Sequence, residues 1–211
     1  MNHWPFHDLV LRTPRLELRP DDDDGGLAEL ADLALAGVHR PDWTPFGVAW
    51  TDEPRDRLAR NTLQHHWRLR AALSPASWTL NLLVRLDGEV VGSQALGAED
   101  FAVLREVTSG SWLGLAHQGR GLGTEMRAAV LLFAFDHLGA LAARSSAFDD
   151  NLPSLGVSRK LGYLPDGGFV QVRRGERAAQ TRLLVTPATF RRPDWELSVS
   201  GVTPCLPLLT G

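Results

Sequence analysis

Lysine, cysteine and tyrosine are almost absent from this sequence. Lys160 is the single lysine, so arginine supplies nearly all of the positive charge in a chain with 22 basic and 25 acidic residues. The formal net charge of −3 gives no general attraction to nucleic acid or to an anionic membrane surface. Cys205 is the single cysteine, which excludes an intrachain disulfide, and its Pro- and Leu-rich surroundings supply no activating neighbour for a nucleophile.

Long apolar runs and targeting signals are also missing. No stretch approaches the roughly eighteen uninterrupted apolar residues of a transmembrane helix. The N-terminal segment, MNHWPFHDLV, has no basic region followed by an apolar run, so it does not resemble a signal peptide. These absences predict a cytoplasmic protein that binds neither nucleic acid nor a membrane.

Hydrophobic periodicity divides the 211 residues into alternating strands and helices. The predicted order, β-α-α-β-β-β-α-β-α-β-β, is typical of one α/β domain with a mixed sheet, here residues 1–190. Residues 191–211 contain three prolines and are predicted to form an irregular tail. Asp87-Gly88 is a two-residue hairpin turn signal, and Leu63 and Trp67 belong to the apolar face of the second helix. The predicted strands are 15–20, 77–86, 90–98, 107–115, 140–148, 168–174 and 180–186, and the predicted helices run to Gly37, from Thr51, over 124–137 and over 151–162.

Four consecutive aspartates, Asp21 to Asp24, precede the first predicted helix. Asp23 or Asp24 can cap that helix, and the negative charges lie at the positive end of its dipole. A metal site is the alternative interpretation, but consecutive aspartates do not converge on one ion without a scaffold. His65 and His66 are adjacent and point to different faces of a helix. We therefore expect no metal site.

A glycine-rich segment, QGRGLGT at 118–124, joins a predicted strand to a helix that is apolar nearly all round. The N-terminus of a helix exposes backbone N–H groups and the positive end of the dipole, which together bind anions. Alternate glycines let the backbone approach a phosphate, and the arginine between them can donate two hydrogen bonds. A tight turn in which glycine only relieves strain is the alternative. The predicted phosphate-binding residues are Gln118, Gly119, Arg120, Gly121, Leu122, Gly123 and Thr124.

Two other phosphate-binding patterns fit this loop less well. A P-loop ends in Gly-Lys-Ser/Thr, and this loop contains no lysine. A dinucleotide fingerprint has the spacing G-x-G-x-x-G, whereas the glycines here simply alternate. The order strand, glycine turn, helix, strand is nevertheless present, with Asp149 after the second strand, so a dinucleotide site is kept as an alternative.

Three segments in the right order resemble the GCN5-related N-acetyltransferases, and in particular their RimJ/RimL branch. TPRLELRP at 13–20 resembles the first strand of that branch. GSWLGLAHQGRGLGTEM at 110–126 resembles its G-Y-W-L strand followed by the Q/R-x-x-G-x-G/A loop, which holds the pyrophosphate of coenzyme A. NLPS at 151–154, followed by RKLGY at 159–163, resembles its N-x-x-S…K-L-G-F/Y segment. The resemblance covers residues 10–187.

The resemblance implies a mixed sheet of about seven strands, flanked by helices, whose fourth and fifth strands splay apart. Coenzyme A is expected in that notch, with the apolar helix packed behind it. In this arrangement the N–H of Leu113 donates to the thioester carbonyl, and Leu113 and Leu115 pair with the pantetheine arm like an added strand. Asn151 caps the short helix that follows, and Asn151 and Ser154 contact the coenzyme.

The implied reaction is direct attack of an amine on an acyl thioester, without a covalent acyl-enzyme. It needs a base for the amine, a polarised carbonyl and an acid for the thiolate. Ser154 matches the acid of the RimL branch, and Tyr163 is the alternative. Relatives often carry a glutamate where this sequence has Thr108, and His117 is expected to face solvent or phosphate. The base is therefore a water chain or one of three carboxylates, Glu99, Asp100 and Glu106.

Acceptor recognition is assigned to DWTPFGVAW, in which Asp42, Trp43, Phe46 and Trp50 can wall a pocket for a primary amine or a protein N-terminus. A core or dimer contact is the alternative, since similar proteins often form homodimers. The donor is acetyl-CoA or another acyl-CoA such as succinyl-CoA, whose free carboxylate needs a partner. A non-catalytic sensor of coenzyme A or a nucleotide is the alternative from another functional class, supported by the missing strand glutamate.

Overall fold

A computed structural model describes residues 3–20 and 24–211, which form one mixed sheet with helices on both faces. The strands are β1 Val10–Arg12, β2 Leu16–Pro20, β3 Ser77–Leu86, β4 Glu89–Glu99, β5 Glu106–Leu113, β6 Ala142–Phe148, β7 Leu164–Arg173, β8 Glu176–Val185 and β9 Ser198–Ser200. Their order across the sheet is β7-β8-β6-β5-β4-β3-β2-β1-β9. The α/β class is confirmed, while the sheet has nine strands rather than about seven. Asp21 to Asp23, with their predicted cap and alternative metal site, lie outside the described residues.

Helices cover both faces of the sheet. They are α1 Asp24–Ala36, α2 Arg55–Ala72, α3 Phe101–Leu104, α4 Leu122–Leu132, α5 Leu152–Lys160 and α6 Leu206–Leu209. On one face, Leu27 and Leu30 of α1 pack with Leu83 and Val90 in a small core. The larger core lies on the other face, where α4 packs, and it contains Leu82. Leu82 and Leu83 thus belong to different cores because successive strand residues point to opposite faces.

The helix α4 is buried on nearly all sides, as its apolar composition predicts. Its residues from Glu125 to Leu132 are all buried, and Leu122 is buried as well. The helix continues as a π-helical segment over Phe133–Leu138. Gly139 then ends it in the left-handed conformation, with φ 72°. Because α4 contacts β2, β4, β5 and α5, its N-terminus is held against the sheet.

The parallel neighbours β5 and β6 separate shortly after they begin. Their pairing covers only Glu106–Thr108 with Ala142–Arg144. Beyond it, β5 stays paired with β4 and β6 stays paired with β8. The two strands therefore diverge, which confirms the predicted splayed pair. The wedge between residues 109–113 of β5 and 145–148 of β6 is called the strand gap below.

The C-terminal segment differs from the irregular tail that its prolines predict. β9 pairs antiparallel with β1, with Ser200 opposite Val10. Cys205 and Leu209 are fully buried, and Trp78 Nε1 donates a hydrogen bond to the carbonyl of Leu209 at 3.1 Å. Only residues 191–197 and a few turn positions lack regular structure. Proline interrupts regular structure locally, but the apolar residues between prolines still pack into the core.

Candidate active site

The main chain of β5 directs polar groups into the strand gap. The N–H of Gly114 donates to the carbonyl of Val91 on β4 at 3.0 Å. Because N–H and C=O groups alternate sides along an antiparallel strand, those of Ser109, Ser111 and Leu113 point away from β4. β6 has already diverged at this level. The gap therefore presents a β5 edge that has no partner strand. The carbonyls of Ser109 and Leu113 accept hydrogen bonds from Ser145 Oγ and Gln118 Nε2, so the N–H groups of this edge are the better candidates to bond an extended, amide-containing ligand.

The glycine loop continues from the strand gap and begins α4. Gly119 and Gly121 have φ of +74° and +80°, a region that favours glycine, and Gly121 is the N-cap of α4. A Cβ added to Gly119 would meet no atom within 4 Å, so this part of the loop is open. The first intrahelical donors are the N–H groups of Thr124 and Glu125, which both bond to the Gly121 carbonyl. The preceding N–H groups and the positive end of the dipole suit an anion.

Arg15 and Glu125 hold the glycine loop from the β2 side. Arg15 Nε donates to Glu125 Oε2 at 2.6 Å, and Arg15 Nη1 donates to the carbonyl of Arg120 at 3.1 Å. Thr13 Oγ1 donates to the other carboxylate oxygen of Glu125 at 2.6 Å. The Arg120 side chain itself is exposed. The loop is thus held in one conformation before a ligand arrives, which lowers the entropic cost of binding.

Gln118 and Leu115 use their polar groups within the protein, which corrects part of the predicted coenzyme contact. Gln118 Nε2 donates to the carbonyls of Val38 at 2.7 Å and Leu113 at 2.9 Å. The N–H of Leu115 donates to the carbonyl of Gly37 at 2.9 Å, from a 3₁₀ turn that follows β5. The strand prediction ran two residues too far because alternate leucines continue past its end. Gln118 therefore positions the loop, and Leu115 does not extend the strand edge.

The helix α5, which follows β6, packs against α4 near the end of β5. Asn151 Oδ1 accepts a hydrogen bond from the N–H of Ser154 at 3.2 Å, so Asn151 is the N-cap, as predicted. A Cβ added to Gly123 would lie 3.8 Å from both Leu113 Cδ1 and Val157 Cγ2. The strand β5 and the helices α4 and α5 therefore meet at Gly123, beside the strand edge.

Tyr163 lies at the closed end of the strand gap. Its side chain is buried, and its hydroxyl lies 3.3 Å from Ser109 Oγ. Ser109 is the first residue of β5 beyond the pairing with β6, so this phenol stands where the two strands part. Ser154 lies in the first turn of α5, half-buried, and its backbone bonds to Asn151. Of the two acid candidates, Tyr163 is the one with a hydroxyl contact at the closed end.

Arg127 of α4 bridges the two strands where they have separated. Its side chain is buried at 4% exposure, with Nη2 3.1 Å from Ser111 Oγ and Nη1 3.3 Å from Ser145 Oγ. Ser145 Oγ in turn donates to the carbonyl of Ser109 at 3.3 Å. Among the described residues, the hydrogen-bond partners of this guanidinium are two neutral hydroxyls and no carboxylate.

Four buried polar atoms near β5 lack a hydrogen-bond partner among residues 3–20 and 24–211. They are Gln94 Oε1 on β4, Arg127 Nε on α4, Ser158 Oγ on α5 and His117 Nδ1 in the turn after β5. Buried polar groups are normally satisfied in folded proteins, so an orphaned group needs an explanation. For Arg127, whose guanidinium bonds to Ser111 and Ser145 on the two sides of the strand gap, a polar ligand in the gap is such an explanation.

The three carboxylates predicted as bases lie at the other end of β5. Glu99 ends β4, is exposed and accepts a hydrogen bond from Ser77 Oγ at 2.8 Å. Asp100 precedes α3 in the left-handed conformation, with φ 45°. Glu106 is paired with Arg144 Nε at 2.5 Å. At about 3.3 Å per residue, the Glu106 end of β5 is about 10 Å from Ser109, so these predictions gain no support from position.

The segment 39–53 packs beside the opposite face of β5. The ring centroids of Phe46 and Trp50 lie 5.1 Å apart, and those of Trp50 and Trp112 lie 5.6 Å apart. Trp43 Nε1 donates to Asp150 Oδ2 at 3.2 Å. Asp42, in contrast, is exposed and lies 3.7 Å from Arg40 Nε. Phe46 and Trp50 of the predicted set therefore join Trp112, while Trp43 is held by Asp150 and Asp42 stays apart. The group of Trp43, Phe46, Trp50 and Trp112 is called the aromatic wall below.

Two arginines at the β7–β8 turn hold the aromatic wall. Arg173 Nη1 and Nη2 donate to the two oxygens of Asp150 at 2.8 and 2.6 Å, and its guanidinium carbon lies 4.2 Å from the ring centroid of Phe148. Arg174 donates to both oxygens of Asp52 at 2.7 and 2.5 Å. These hydrogen bonds lower the pKa of Asp150 and the pKa of Asp52. An open cleft of about 280 Å³ lies between the end of α1, segment 39–53 and Arg174.

Cys205 is unsuited to nucleophilic attack. It is buried, and burial raises the pKa of its thiol to about 11. Its Sγ lies 3.4 Å from the carbonyl of Pro5, far along the chain from the strand gap. Among residues 3–20 and 24–211, no three His, Cys, Asp or Glu side chains form a group that could hold a metal ion. No helix in that part of the chain is long and apolar enough to cross a membrane.

Comparison with known proteins decides between the families that the glycine loop allows. The sequence model of the acetyltransferase (GNAT) domain matches residues 15–164. The chain belongs to the GNAT family. It is therefore an enzyme of the GNAT N-acetyltransferase or acyltransferase type, and the alternative of a dinucleotide oxidoreductase is set aside.

Solved GNAT structures share this fold. RimJ from Mycobacterium smegmatis, in complex with CoA-disulfide, is 23% identical, with a TM-score of 0.70 over 87% of this chain and 90% of RimJ. RimL, a ribosomal L7/L12 alpha-N-protein acetyltransferase in complex with coenzyme A, is 15% identical, with a TM-score of 0.68 over 84% and 97%. A GCN5-related N-acetyltransferase from Brucella melitensis is 18% identical, with a TM-score of 0.66 over 85% and 79%. These similarities agree with the assignment of the chain to the RimJ/RimL-like branch.

Sequence reasoning missed several polar residues of this GNAT site. Arg127 was overlooked because it lies in a helix that reads as apolar from Met126 to Phe135. A single charge in a helix that must be buried on all sides is itself a usable signal, since buried arginines are rare. Ser109 and Ser145 gave no signal, because serine on a strand is common and their partners are distant in sequence.

Proposed function

We propose that this GNAT protein transfers an acyl group from a coenzyme A thioester to a primary amine or a protein N-terminus by direct attack. One observation carries the proposal: the unpaired edge of β5 leads straight into the glycine loop at the N-terminus of α4. A ligand with an extended amide-containing arm and a pyrophosphate at its far end matches both parts. Acetyl-CoA and succinyl-CoA share this arm and this pyrophosphate.

Donor binding is assigned to β5, the glycine loop and α5. The N–H groups from Gly119 to Gly123 would bind the pyrophosphate, with Arg120 adding a charged pair of donors. The N–H of Leu113, next to the glycine loop, would bond to the pantetheine arm, and the N–H of Ser111, which lies deeper in the strand gap, would donate to the thioester carbonyl and polarise it. Asn151 and Ser154 would contact the pantetheine from the start of α5.

In the proposed reaction, the amine nitrogen bonds to the carbonyl carbon and the bond between that carbon and sulfur breaks. The amine loses one proton, and the departing thiolate gains one. We assign the acid role to Tyr163 ahead of Ser154 because the phenol lies at the closed end of the gap, 3.3 Å from Ser109 Oγ. Since Glu99, Asp100 and Glu106 lie away from this end, we assign removal of the amine proton to water.

The aromatic wall is the proposed acceptor site. It lies on the face of β5 opposite α4, so the acceptor would approach from one face and the donor would lie towards the other. The electron-rich faces of Trp50 and Trp112 suit a protonated amine. Asp42 stays a weaker prediction for this role because it is exposed and close to Arg40. The predicted cytoplasmic location and homodimer stay predictions.

The alternative of a non-catalytic coenzyme A sensor rests on Thr108, which stands where relatives often carry a glutamate. Thr108 is exposed on β5 and donates only a long hydrogen bond, 3.4 Å, to the carbonyl of Gly97. Because the chain is an enzyme of the GNAT family, Thr108 instead supports the assignment of the amine proton to water.

Thermal unfolding with separate ligands tests the proposal. Coenzyme A, acetyl-CoA or succinyl-CoA at one hundred times its Kd should raise the Tm by about 5–10 °C, while NAD and ATP should leave it nearly unchanged. The absence of stabilisation by every coenzyme A compound would refute the proposed function. Thiol release across a panel of amines and N-terminal peptides then tests the transfer itself, because the proposed reaction releases thiol only in the presence of an acceptor amine.

A further inference from the structure

Arg127 carries a charge that the described part of the protein does not neutralise. Burying a guanidinium charge away from a counter-charge is strongly unfavourable. Its two bonds go to the neutral hydroxyls of Ser111 and Ser145, while its buried Nε has no partner among the described residues. An anionic ligand group at this position would offset the desolvation of the charge.

The pyrophosphate is not the anion in question. Arg127 lies four residues after Gly123, so it is about 6 Å further along α4 than the glycine loop. Its partners Ser111 and Ser145 lie inside the strand gap, and Ser145 also bonds to the carbonyl of Ser109. Ser109 in turn contacts Tyr163. These contacts connect the guanidinium to the end of the gap where the acyl group is proposed to react.

We infer that the transferred acyl group ends in a carboxylate and that Arg127 binds this carboxylate, with Ser111 and Ser145 holding the guanidinium in place. The inference deepens the proposed function and rests on it. It favours a dicarboxylic acyl donor, of which succinyl-CoA is the test compound, over acetyl-CoA. The terminal carboxylate keeps its charge throughout, since only the thioester carbon exchanges sulfur for nitrogen. A guanidinium suits this task because it can donate two parallel hydrogen bonds to one carboxylate.

A comparison of two donors of equal acyl length tests the inference. Succinyl-CoA and butyryl-CoA both carry four-carbon acyl groups and differ in the terminal carboxylate. The unaltered protein should prefer succinyl-CoA in kcat/KM by on the order of 100-fold, as expected for a desolvated charge pair. Titration calorimetry without an acceptor should show tighter binding of succinyl-CoA than of butyryl-CoA. This measurement does not depend on turnover.

Arg127→Met should reduce the succinyl-to-butyryl ratio to about one, because methionine fills a similar volume without the charge, and Arg127→Lys should retain part of the preference. Equal use of both donors by the unaltered protein would overturn the inference. This measurement uses the unaltered protein and so does not depend on whether a variant folds. An unchanged succinyl-to-butyryl ratio in Arg127→Met would also overturn it. Arg127 would then have only the structural role of linking β5 to β6. Failure of every coenzyme A compound to bind would instead refute the proposed function.

Discussion

The donor side and the acceptor side of the strand gap are built in different ways. Most of the donor side comes from one continuous segment, 109–127, which supplies the strand edge, the glycine loop and Arg127, with α5 added from nearby in the sequence. The acceptor side joins residues that are far apart in sequence, since the aromatic wall takes Trp50 and Trp112 and depends on Arg173 from the β7–β8 turn. The first is a local feature of the backbone, and the second is a product of tertiary structure.

This difference decides how each side responds to substitution. The donor side binds through backbone N–H groups, so only changes that alter the backbone or fill its open space should abolish binding. The acceptor side is held by side-chain ion pairs at the surface, and such pairs contribute individually little. We therefore expect large effects on the donor side and graded effects on the acceptor side.

The largest effect is expected for Gly121→Glu. The new side chain would stand at the N-cap of α4 with φ +80°, beside Arg15 Nη2 at 3.5 Å, and would place a negative charge where the pyrophosphate is proposed to bind. Coenzyme A affinity, measured by calorimetry, should fall by at least about 100-fold, the loss of a charged hydrogen-bonded contact. Gly88→Glu is the matched control, because Gly88 also has positive φ, at +90°, with open space around it, in a distant hairpin. Retained affinity in Gly121→Glu would contradict the loop assignment.

The next effect concerns the closed end of the gap, where the two sides meet. Tyr163→Phe should lower kcat by about 100-fold, within the range for loss of a general acid, with coenzyme A affinity nearly unchanged. Ser154→Ala is the comparison variant and should lower kcat by a smaller factor. A larger fall for Ser154→Ala would transfer the acid role to α5, and single-turnover rates would show whether the chemical step is the one affected.

The same comparison explains what the sequence could predict. The strand, glycine loop and helix follow one another along the chain, so local patterns were enough to predict the fold class and the glycine turn at the start of α4. The splayed strands were predicted from the family resemblance. The buried face of α2 was predicted only in part: Leu63 packs against the small core, but Trp67 is 41% exposed, whereas Thr62 is buried and bonds to the carbonyl of Leu58. A polar residue that satisfies its hydroxyl within its own helix is invisible to a hydrophobic pattern.

Long-range features were the least predictable. The bonds of Arg173 to Asp150 and of Arg127 to Ser145 join residues that no spacing rule relates. β9 was missed because three residues between prolines carry too little pattern to predict a strand. Sequence order alone placed the carboxylates Glu99, Asp100 and Glu106 near β5. The strand register shows that they lie around its first residues, before the strand gap begins.

A graded effect is expected for Arg173→Ala on the acceptor side. Loss of both bonds to Asp150 and of the contact with Phe148 should loosen the aromatic wall and raise KM for the amine by about tenfold, the equivalent of one or two exposed charged contacts. KM for the coenzyme A thioester should change little. Arg177→Ala, at an exposed position of β8, is the matched control. A change confined to the thioester KM would show that Arg173 serves the donor side.

The smallest effect is the response of the acceptor side to acid. Hydrogen bonds from Arg173 and Arg174 lower the pKa of Asp150 and of Asp52 below their usual range, so their stabilisation is present above pH 4 and is lost as the pH falls through these lowered values. Because Asp150 is 47% exposed, its pair with Arg173 should contribute only about 0.5 kcal/mol to the free energy of unfolding. Asp150→Asn should therefore slightly reduce the pH dependence of the free energy of unfolding at acid pH. It should also remove an acid-induced change in tryptophan fluorescence.

Asp136 provides the internal control for this acid response. It bonds to Arg192 through both oxygens, at 2.7 and 2.8 Å, and these bonds lower its pKa in the same way, but the pair lies away from the aromatic wall. Asp136→Asn should flatten the stability curve to a similar degree while leaving the acid-induced fluorescence change of the wall intact. Equal fluorescence behaviour in the two variants would show that acid loosens the whole fold at once. A difference between them would establish that the acceptor side can open while the donor side keeps its structure, as expected if only the former depends on ion pairs between distant segments.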